Sequence, residues 1–151
     1  MENFETINKH GSVFLTNLYE PEDNKLLLEV KNSTTSDFEV DVQIGDKQLS
    51  GCHEITIDET GTFFTIMFND YVSYHVINES YANLNPKDEY VSGDYGTFCI
   101  FQKSSYMDFI LKETFANDIY PTELKHYGLF AANHIVHIIS MHEPEIELKN
   151  H

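Results

Sequence analysis

Residues 38–44 have the sequence FEVDVQI, in which apolar and polar side chains alternate without a break. Successive side chains of a β-strand point to opposite faces of its sheet, so this period of two predicts a strand with one buried face. The side chains expected to face the core are Phe38, Val40, Val42 and Ile44. The acids and the glutamine between them are expected to face water.

Similar patterns lie on both sides of this stretch. Further strands are predicted at residues 12–19, 25–31, 54–57, 62–68, 71–77 and 97–101. The Ser/Thr-rich residues 32–37 are expected to form a loop, residues 45–47 a turn and residues 58–61 a hairpin loop. Short strands joined by tight turns predict an antiparallel meander, within a twisted sheet of about six to nine strands.

One helix is predicted at residues 105–117. Ser105 and Asp108 have the spacing of a capping box, with Asp in place of the usual Glu. The side chains expected to form its buried stripe are Met107, Ile110, Leu111 and Thr114. The helix is expected to end at Asn117 or Asp118, because Pro121 prevents it from restarting soon after.

The C-terminal third predicts more strands. Residues 124–132 and 134–141 are expected to be two strands joined by a turn, with a single helix across residues 130–141 as the alternative. A last edge strand is expected at residues 146–148. The whole pattern predicts one α+β domain over residues 1–151, with a mainly antiparallel sheet, one principal helix and about ten flexible residues at the N terminus.

The cysteines and the apolar runs indicate a compartment. Cys52 and Cys99 lie in apolar, strand-like surroundings, where reduced and buried thiols are expected. The first residues lack a signal-peptide pattern, and no apolar run approaches the roughly 20 residues of a membrane span. We therefore expect a soluble, cytoplasmic protein.

Charge is the most informative feature for function. The chain has 25 acidic and nine basic residues, all nine of them lysines, and its formal net charge is -16. Arginine, the side chain best suited to gripping phosphates and carboxylates in two-pronged fashion, is absent from the sequence. We therefore expect neither nucleic-acid nor membrane binding, and instead a basic protein as the partner.

The acids gather in clusters at predicted turns and in the long polar stretch at residues 78–96, and tyrosines accompany several of them. Acidic surfaces speed association with basic proteins, and Tyr is enriched at binding hot spots. The residues predicted to bind the partner are Glu20, Glu22, Asp23, Asp58, Glu59, Asp88, Glu89, Tyr90, Asp94 and Tyr95.

The histidines support a competing hypothesis. Four of the eight, His126, His134, His137 and His142, lie in the last third of the chain. On a strand, His134 and His137 point to opposite faces and cannot chelate one metal together. No metal, cofactor or catalytic residue is therefore assigned. The alternative function is a small enzyme that uses histidines and carboxylates, with residues 78–96 as a lid.

In size, acidity and β-rich pattern the chain loosely resembles small acidic bacterial immunity proteins, which bind and neutralise a partner toxin. The resemblance implies a non-enzymatic inhibitor of a basic partner such as a nuclease toxin, without assigning a role to any residue. A third alternative is a homo-oligomeric structural β-domain, in which residues 38–44 or 146–148 pair between copies.

Overall fold

A strand of 20 residues organises the protein, which is described here from a computed structural model covering residues 2–92, 96–116 and 123–150. This strand is β2 (Lys25–Ile44). Its first part pairs with β1 (Val13–Tyr19) on one side and β4 (Phe63–Asn69) on the other. Its second part pairs with β3 (Lys47–Ile57).

The ten strands found among the described residues form two five-stranded antiparallel sheets. The first sheet contains β1, β2, β3, β4 and β10 (Glu145–Lys149). The second has the order β5 (Tyr71–Asn78), β9 (His134–Ser140), β8 (Lys125–Phe130), β7 (Phe98–Lys103) and β6 (Glu89–Tyr90). The predicted α+β class, with mostly antiparallel strands and one main helix, is confirmed. The strands exceed the predicted six to nine and divide between two sheets.

The core lies between the inner faces of the two sheets. The first sheet contributes Leu26, Leu28, Val30, Phe64, Ile66 and Phe68, and the second contributes Phe98, Tyr127, Leu129, Val136 and Ile138. The Phe68 and Tyr127 rings meet edge to face across the interface, with centroids 5.3 Å apart. Alternating side chains from both sheets therefore fill one apolar layer, as in a β-sandwich.

The first residues form a helix, α1 (Glu2–Lys9), and not the flexible stretch expected from the sequence. Phe4 and Ile7 are three residues apart and therefore share one helical face. Ile7 is fully buried, and the Phe4 ring stacks on Phe98 with centroids 5.0 Å apart. Burial of these two side chains holds the helix against the sandwich.

Two asparagines bind backbone groups of distant strands. The Asn8 side chain donates to the Phe98 carbonyl at 2.9 Å and accepts from the Phe98 N–H at 2.9 Å. Asn133 does the same for Leu15, with distances of 2.8 and 2.9 Å. Each amide therefore imitates a neighbouring strand and satisfies backbone groups at a sheet edge.

We expect Asn133→Ala to lower the free energy of unfolding by about 1–3 kcal/mol, because the N–H and C=O of Leu15 both lose a partner. Urea unfolding followed by far-UV circular dichroism measures the change. Asn17→Ala, at an exposed position of β1, is the matched control and should leave the midpoint unchanged. Equal midpoints for the two variants would contradict a structural role for the Asn133 amide.

The predictions of two loops, at residues 32–37 and 58–61, are wrong. Residues 32–37 continue β2 instead of leaving it, and Ser33 pairs with Ile57 on β3. Residues 58–61 are not a hairpin loop, because β3 and β4 follow one another along the same edge of β2. The pairing resumes at Lys31 and Phe63, so residues 58–62 only interrupt one long hairpin. Thr and Ser, which fit the pleated surface well enough, carry the strand through the expected loop.

The outer part of this hairpin, residues 33–57, is here named the β-arm. Its burial contradicts the sequence analysis, because the apolar side chains of residues 38–44 do not face a core. Phe38 is 64% exposed and Ile44 is 62% exposed. The second sheet covers only the first part of β2, so the same alternation that buries Leu26 and Leu28 leaves the β-arm in solvent.

The main helix, α2 (Ser105–Glu113), begins at the predicted residue. Its N-cap is Ser104, whose side chain accepts from the Met107 N–H at 2.9 Å, so the predicted capping box at Ser105 is wrong. The helix ends at Glu113, with Thr114 as its C-cap, so it is shorter than the predicted span of residues 105–117. The expected end residues Asn117 and Asp118 lie outside the described residues.

The C-terminal strands β8, β9 and β10 confirm the two-strand prediction and exclude the alternative helix across residues 130–141. β10 pairs with β4 at the edge of the first sheet, as expected for residues 146–148. Within the described ranges, neither α-helix has the length and hydropathy needed to cross a membrane.

Candidate functional site

The first predicted acidic cluster lies in the turn between β1 and β2. Glu22 pairs with Lys25 at 2.8 Å, and this hydrogen bond and charge lower the pKa of the Glu22 carboxyl. Glu20 accepts a hydrogen bond from the Tyr71 hydroxyl, which raises the pKa of Tyr71 to about 12. Asp23 is exposed in the same turn. Two of the three acids therefore have a partner within the chain.

The second cluster lies in the interruption at residues 58–62. Asp58 accepts from the N–H and the hydroxyl of Thr60, at 3.0 and 2.9 Å, and shapes the turn. Glu59 forms an ion pair with Lys31 on β2. These acids lie next to the β-arm, at the opposite end of the β2–β4 pairing from Glu20.

The third cluster lies beside the second sheet. Asp88 accepts from the Ser105 N–H at 3.0 Å at the start of α2, and Glu89 pairs with Lys103 at 3.7 Å. Tyr90 packs on Phe101, with ring centroids 4.8 Å apart. Asp94 and Tyr95 lie outside the described residues. The three clusters thus occupy different parts of the molecule and do not form one face.

The β-arm carries acids of a different kind. Its carboxylates are Asp37, Glu39, Asp41, Asp46 and Glu54, against the single lysine Lys47. None of these charged groups forms an ion pair with a described residue of the chain. The β-arm therefore concentrates unneutralised negative charge.

One face of the β-arm is apolar. Val40 lies opposite Cys52, and Val42 lies opposite Leu49, so these four side chains share a face. Val42 is 38% exposed and Leu49 is 48% exposed. Among the described elements, β3 packs only against β2 to any substantial extent. In the described part of the chain, no other helix or strand therefore covers the apolar face.

The other face is polar. Glu39 lies opposite His53, and Gln48 donates to Asp41 at 2.9 Å. Two irregularities shape the ribbon: the Ser36 hydroxyl accepts from the Glu54 N–H at 2.9 Å in one, and Gly51 adopts a φ of 75° in the other. Positive φ favours glycine, so a larger residue at position 51 would strain this bulge.

A second candidate site lies on the outer face of the second sheet, where three histidines from three strands meet. His75 on β5 is paired directly with His137 on β9, and their rings stack with centroids 4.8 Å apart. Nε2 of His126 on β8 lies 2.8 Å from Nδ1 of His137. His134 and His142 do not join them: His134 pairs with Asn78, and His142 lies 3.5 Å from Asp70.

The hydrogen-bond network assigns the imidazole tautomers. The Ser104 Oγ accepts from the Met107 N–H and lies 2.7 Å from Nδ1 of His126. Ser104 is therefore assigned as the donor to Nδ1 of His126. His126 then carries its own hydrogen on Nε2 and donates it to Nδ1 of His137. This order places the hydrogen of His137 on Nε2, which has no partner among the described residues.

Burial keeps these imidazoles neutral. Desolvation lowers the pKa of His137 to about 4, although the nearby Asp88 carboxylate opposes the shift. Desolvation and the neighbouring imidazoles lower the pKa of His126 still further, and burial also lowers the pKa of His75. At neutral pH the cluster is therefore uncharged and acts through hydrogen bonds and ring faces.

The cluster forms one wall of a pocket of about 150 Å³, closed on the other side by the segment that follows β5. The pocket is lined by His75, Ile77, Ala82, Asn83, Leu84, Asn85, Asp88, Tyr90, Phe101, Tyr106, Phe130, Ile135 and His137. Gly128 allows the Phe101 and Phe130 rings to pack closely against the backbone beside the pocket. A Cβ at this position would lie 2.8 Å from the Phe101 ring and 3.0 Å from the Phe130 ring.

Metal binding finds no support in the described residues, which contain no group of three His, Cys, Asp or Glu side chains arranged to hold a metal ion. The two cysteines are both free, with Cys52 half-buried on the β-arm and Cys99 buried on β7. Burial raises the pKa of the Cys99 thiol to about 12, so it stays protonated and unreactive at neutral pH.

Sequence reasoning missed most of both sites. The apolar side chains of residues 38–44 on the β-arm were predicted to face the core, and neither His75 nor Tyr106 was connected with the C-terminal histidines. The signals available for the pocket were the histidines of the last third, which include His126 and His137, and the long stretch at residues 78–96, part of which does cover it. Compared with protein-family models, with curated proteins and with solved structures, the chain matches none of them.

Proposed function

We propose that this chain is a binding protein that docks on a basic protein through its β-arm. The observation that supports the proposal is that a two-stranded ribbon presents both unneutralised acids and uncovered apolar side chains. Soluble proteins rarely keep such apolar strips in water unless another surface uses them. The proposal keeps the acidic inhibitor expected from the sequence and moves its docking residues to the β-arm.

Charge supports a basic partner. The carboxylates of the β-arm have no ion pairs among the described residues, whereas most acids of the three turn clusters are engaged within the chain. Unpaired charge on a projecting ribbon steers an oppositely charged protein toward it. A nuclease, whose active site is built to receive nucleic acid, has a cleft of the matching sign.

Shape supports docking by insertion. The paired part of the β-arm extends over the 12 residues from Ser33 to Ile44, about 35 Å at the usual rise per strand residue. Val42 and Leu49 lie on one face of the ribbon, and Glu39 and Asp41 lie on the other. A partner cleft that encloses the ribbon would therefore meet an apolar face and an acidic face.

We expect the double variant Glu39→Lys with Asp41→Lys to weaken partner binding at least tenfold, mainly through a slower on-rate. The partner is first captured from the native host at low salt, and the rate constants are then measured on the purified pair. Val42→Ser with Leu49→Ser should instead raise the off-rate, because it removes apolar contact without changing charge.

The matched control is Glu20→Lys with Glu22→Lys, which makes the same change in net charge at the far end of the first sheet. It should alter the affinity less than the β-arm variants do. If the wild-type protein captures no basic protein from its host, the proposal loses its support. If the control loses as much affinity as the β-arm variants, docking does not depend on the β-arm. A wild-type dimer that becomes monomeric in the Val42/Leu49 variant would make the β-arm a self-association element instead.

The histidine- and carboxylate-dependent enzyme is the second candidate, favoured by the convergence of His75, His126 and His137. The pocket supports ligand binding better than catalysis. The hydroxyl bonded to His126 belongs to Ser104, which is buried and caps α2, so it is not placed as a nucleophile.

A further inference from the structure

We propose that the pocket beside the histidine cluster binds a small organic cation, an alkylated ammonium group of the kind found in choline. The inference is independent of the β-arm and concerns the opposite sheet. It rests on the ring faces, the charge and the size of the pocket.

Six of the 13 residues that line the pocket carry aromatic or imidazole rings. Four of the lining residues are Tyr90, Phe101, Tyr106 and Phe130, and the imidazoles of His75 and His137 add two more rings. The faces of aromatic rings carry partial negative charge and attract ammonium groups, most strongly where water is excluded. Rings from several directions around one small space are the usual cage for a quaternary ammonium group.

The charges in the wall select a cation. Asp88 is the only acid among the lining residues, and no lysine lines the pocket in the described part of the chain. The Asp88 carboxylate acts inside the pocket, since its charge opposes the lowering of the pKa of His137. Because His75 and His137 are neutral, nothing positive in the wall competes with a bound ammonium group.

The size fits a compact head group. A volume of about 150 Å³ holds about five water-sized groups at the roughly 30 Å³ each takes in the liquid. A trimethylammonium group has this size. The Nε2–H of His137, which has no partner among the described residues, additionally suits an oxygen acceptor on the same ligand and so favours an amino alcohol over a bare tetraalkylammonium ion.

Titration with choline, followed by amide and aromatic NMR shifts, tests the proposal. We expect saturable shifts at Asp88, Tyr106 and His137. We also expect at least tenfold weaker binding of 3,3-dimethylbutan-1-ol, which has the same shape without the charge. A peptide containing trimethyllysine is titrated in parallel. Tighter binding of choline would identify a free small molecule as the ligand class, and tighter binding of the peptide would identify a methylated lysine side chain.

Asp88→Asn is expected to weaken choline binding about tenfold and to leave the neutral alcohol unaffected, because the amide oxygen still accepts from the Ser105 N–H. Glu89→Gln is the matched control: it removes one charge at the next residue, which does not line the pocket. The proposal is overturned by an absence of saturable shifts at about 10 mM choline, a concentration that fills sites of millimolar Kd. It is equally overturned if the two ligands bind alike, or if Glu89→Gln weakens binding as much as Asp88→Asn.

Discussion

Phe64→Ala is expected to lower the free energy of unfolding by about 3–5 kcal/mol, the usual cost of removing a buried phenylalanine. Phe64 is 1% exposed and lies on β4 between the two sheets. Alanine would leave a cavity against the rigid inner faces of both sheets, and the surrounding strands relax only partly around it. Urea unfolding followed by far-UV circular dichroism measures the loss.

Phe38→Ala is the matched control, because it makes the same chemical change in the same long hairpin. Phe38 lies on the β-arm and is 64% exposed, so we expect a change within about 0.5 kcal/mol. A loss of more than about 1 kcal/mol would show that the β-arm is packed against something in solution. A small loss for Phe64→Ala would contradict the core itself.

This pair of phenylalanines shows where sequence reasoning succeeds and where it stops. A period of two identifies a strand wherever it occurs, and it identified β1, both parts of β2, β4 and β5. It does not say whether another sheet lies above the apolar face. The second sheet covers Leu26 and Leu28 but ends before Phe38, and that limit depends on packing between residues far apart in the chain.

The histidine cluster was beyond sequence reasoning for a related reason. His75 and His137 become neighbours only through the register of β5 against β9, and His126 joins them from the next strand. Shifting either register by one residue would turn these side chains to the opposite face. Local patterns correctly predicted a strand that carries both His134 and His137, but they did not identify the partners from other strands.

The two sites differ in how far they depend on the fold. The β-arm presents its side chains from a ribbon held mainly by its own pairing, so substitutions there should change binding and spare stability. The pocket is built into the second sheet and α2, through the contacts of Ser104, His126 and Tyr106. Substitutions of the histidines should therefore change stability, and pH provides a way to perturb them without mutation.

Lowering the pH from 7 to 5 is expected to reduce the free energy of unfolding by about 4 kcal/mol through His126 and His137 alone. Both side chains are neutral in the folded protein, because burial lowers their pKa below the usual 6.5. The unfolded chain takes up protons below pH 6.5 that the folded protein does not, so stability is lost as the pH falls. Each group contributes about 2 kcal/mol over the 1.5 pH units below 6.5.

Other groups facing the cluster change this result little. The Asp88 carboxylate favours protonation of His137 and is already included in its pKa of about 4. His75, whose pKa is also lowered by burial, adds to the loss. Burial raises the pKa of the facing Tyr106, which stays neutral throughout.

Urea unfolding at pH 7, 6 and 5 measures this slope, and His137→Gln should reduce it by roughly the share of one histidine, about 2 kcal/mol over the same range. His53→Gln, at an exposed position of the β-arm, is the matched control and should keep the wild-type slope. A wild-type stability that stays flat between pH 7 and 5 would mean that the imidazoles accept protons within the fold. The cluster would then carry positive charge in the weakly acidic range, and the pocket would no longer favour a cation there.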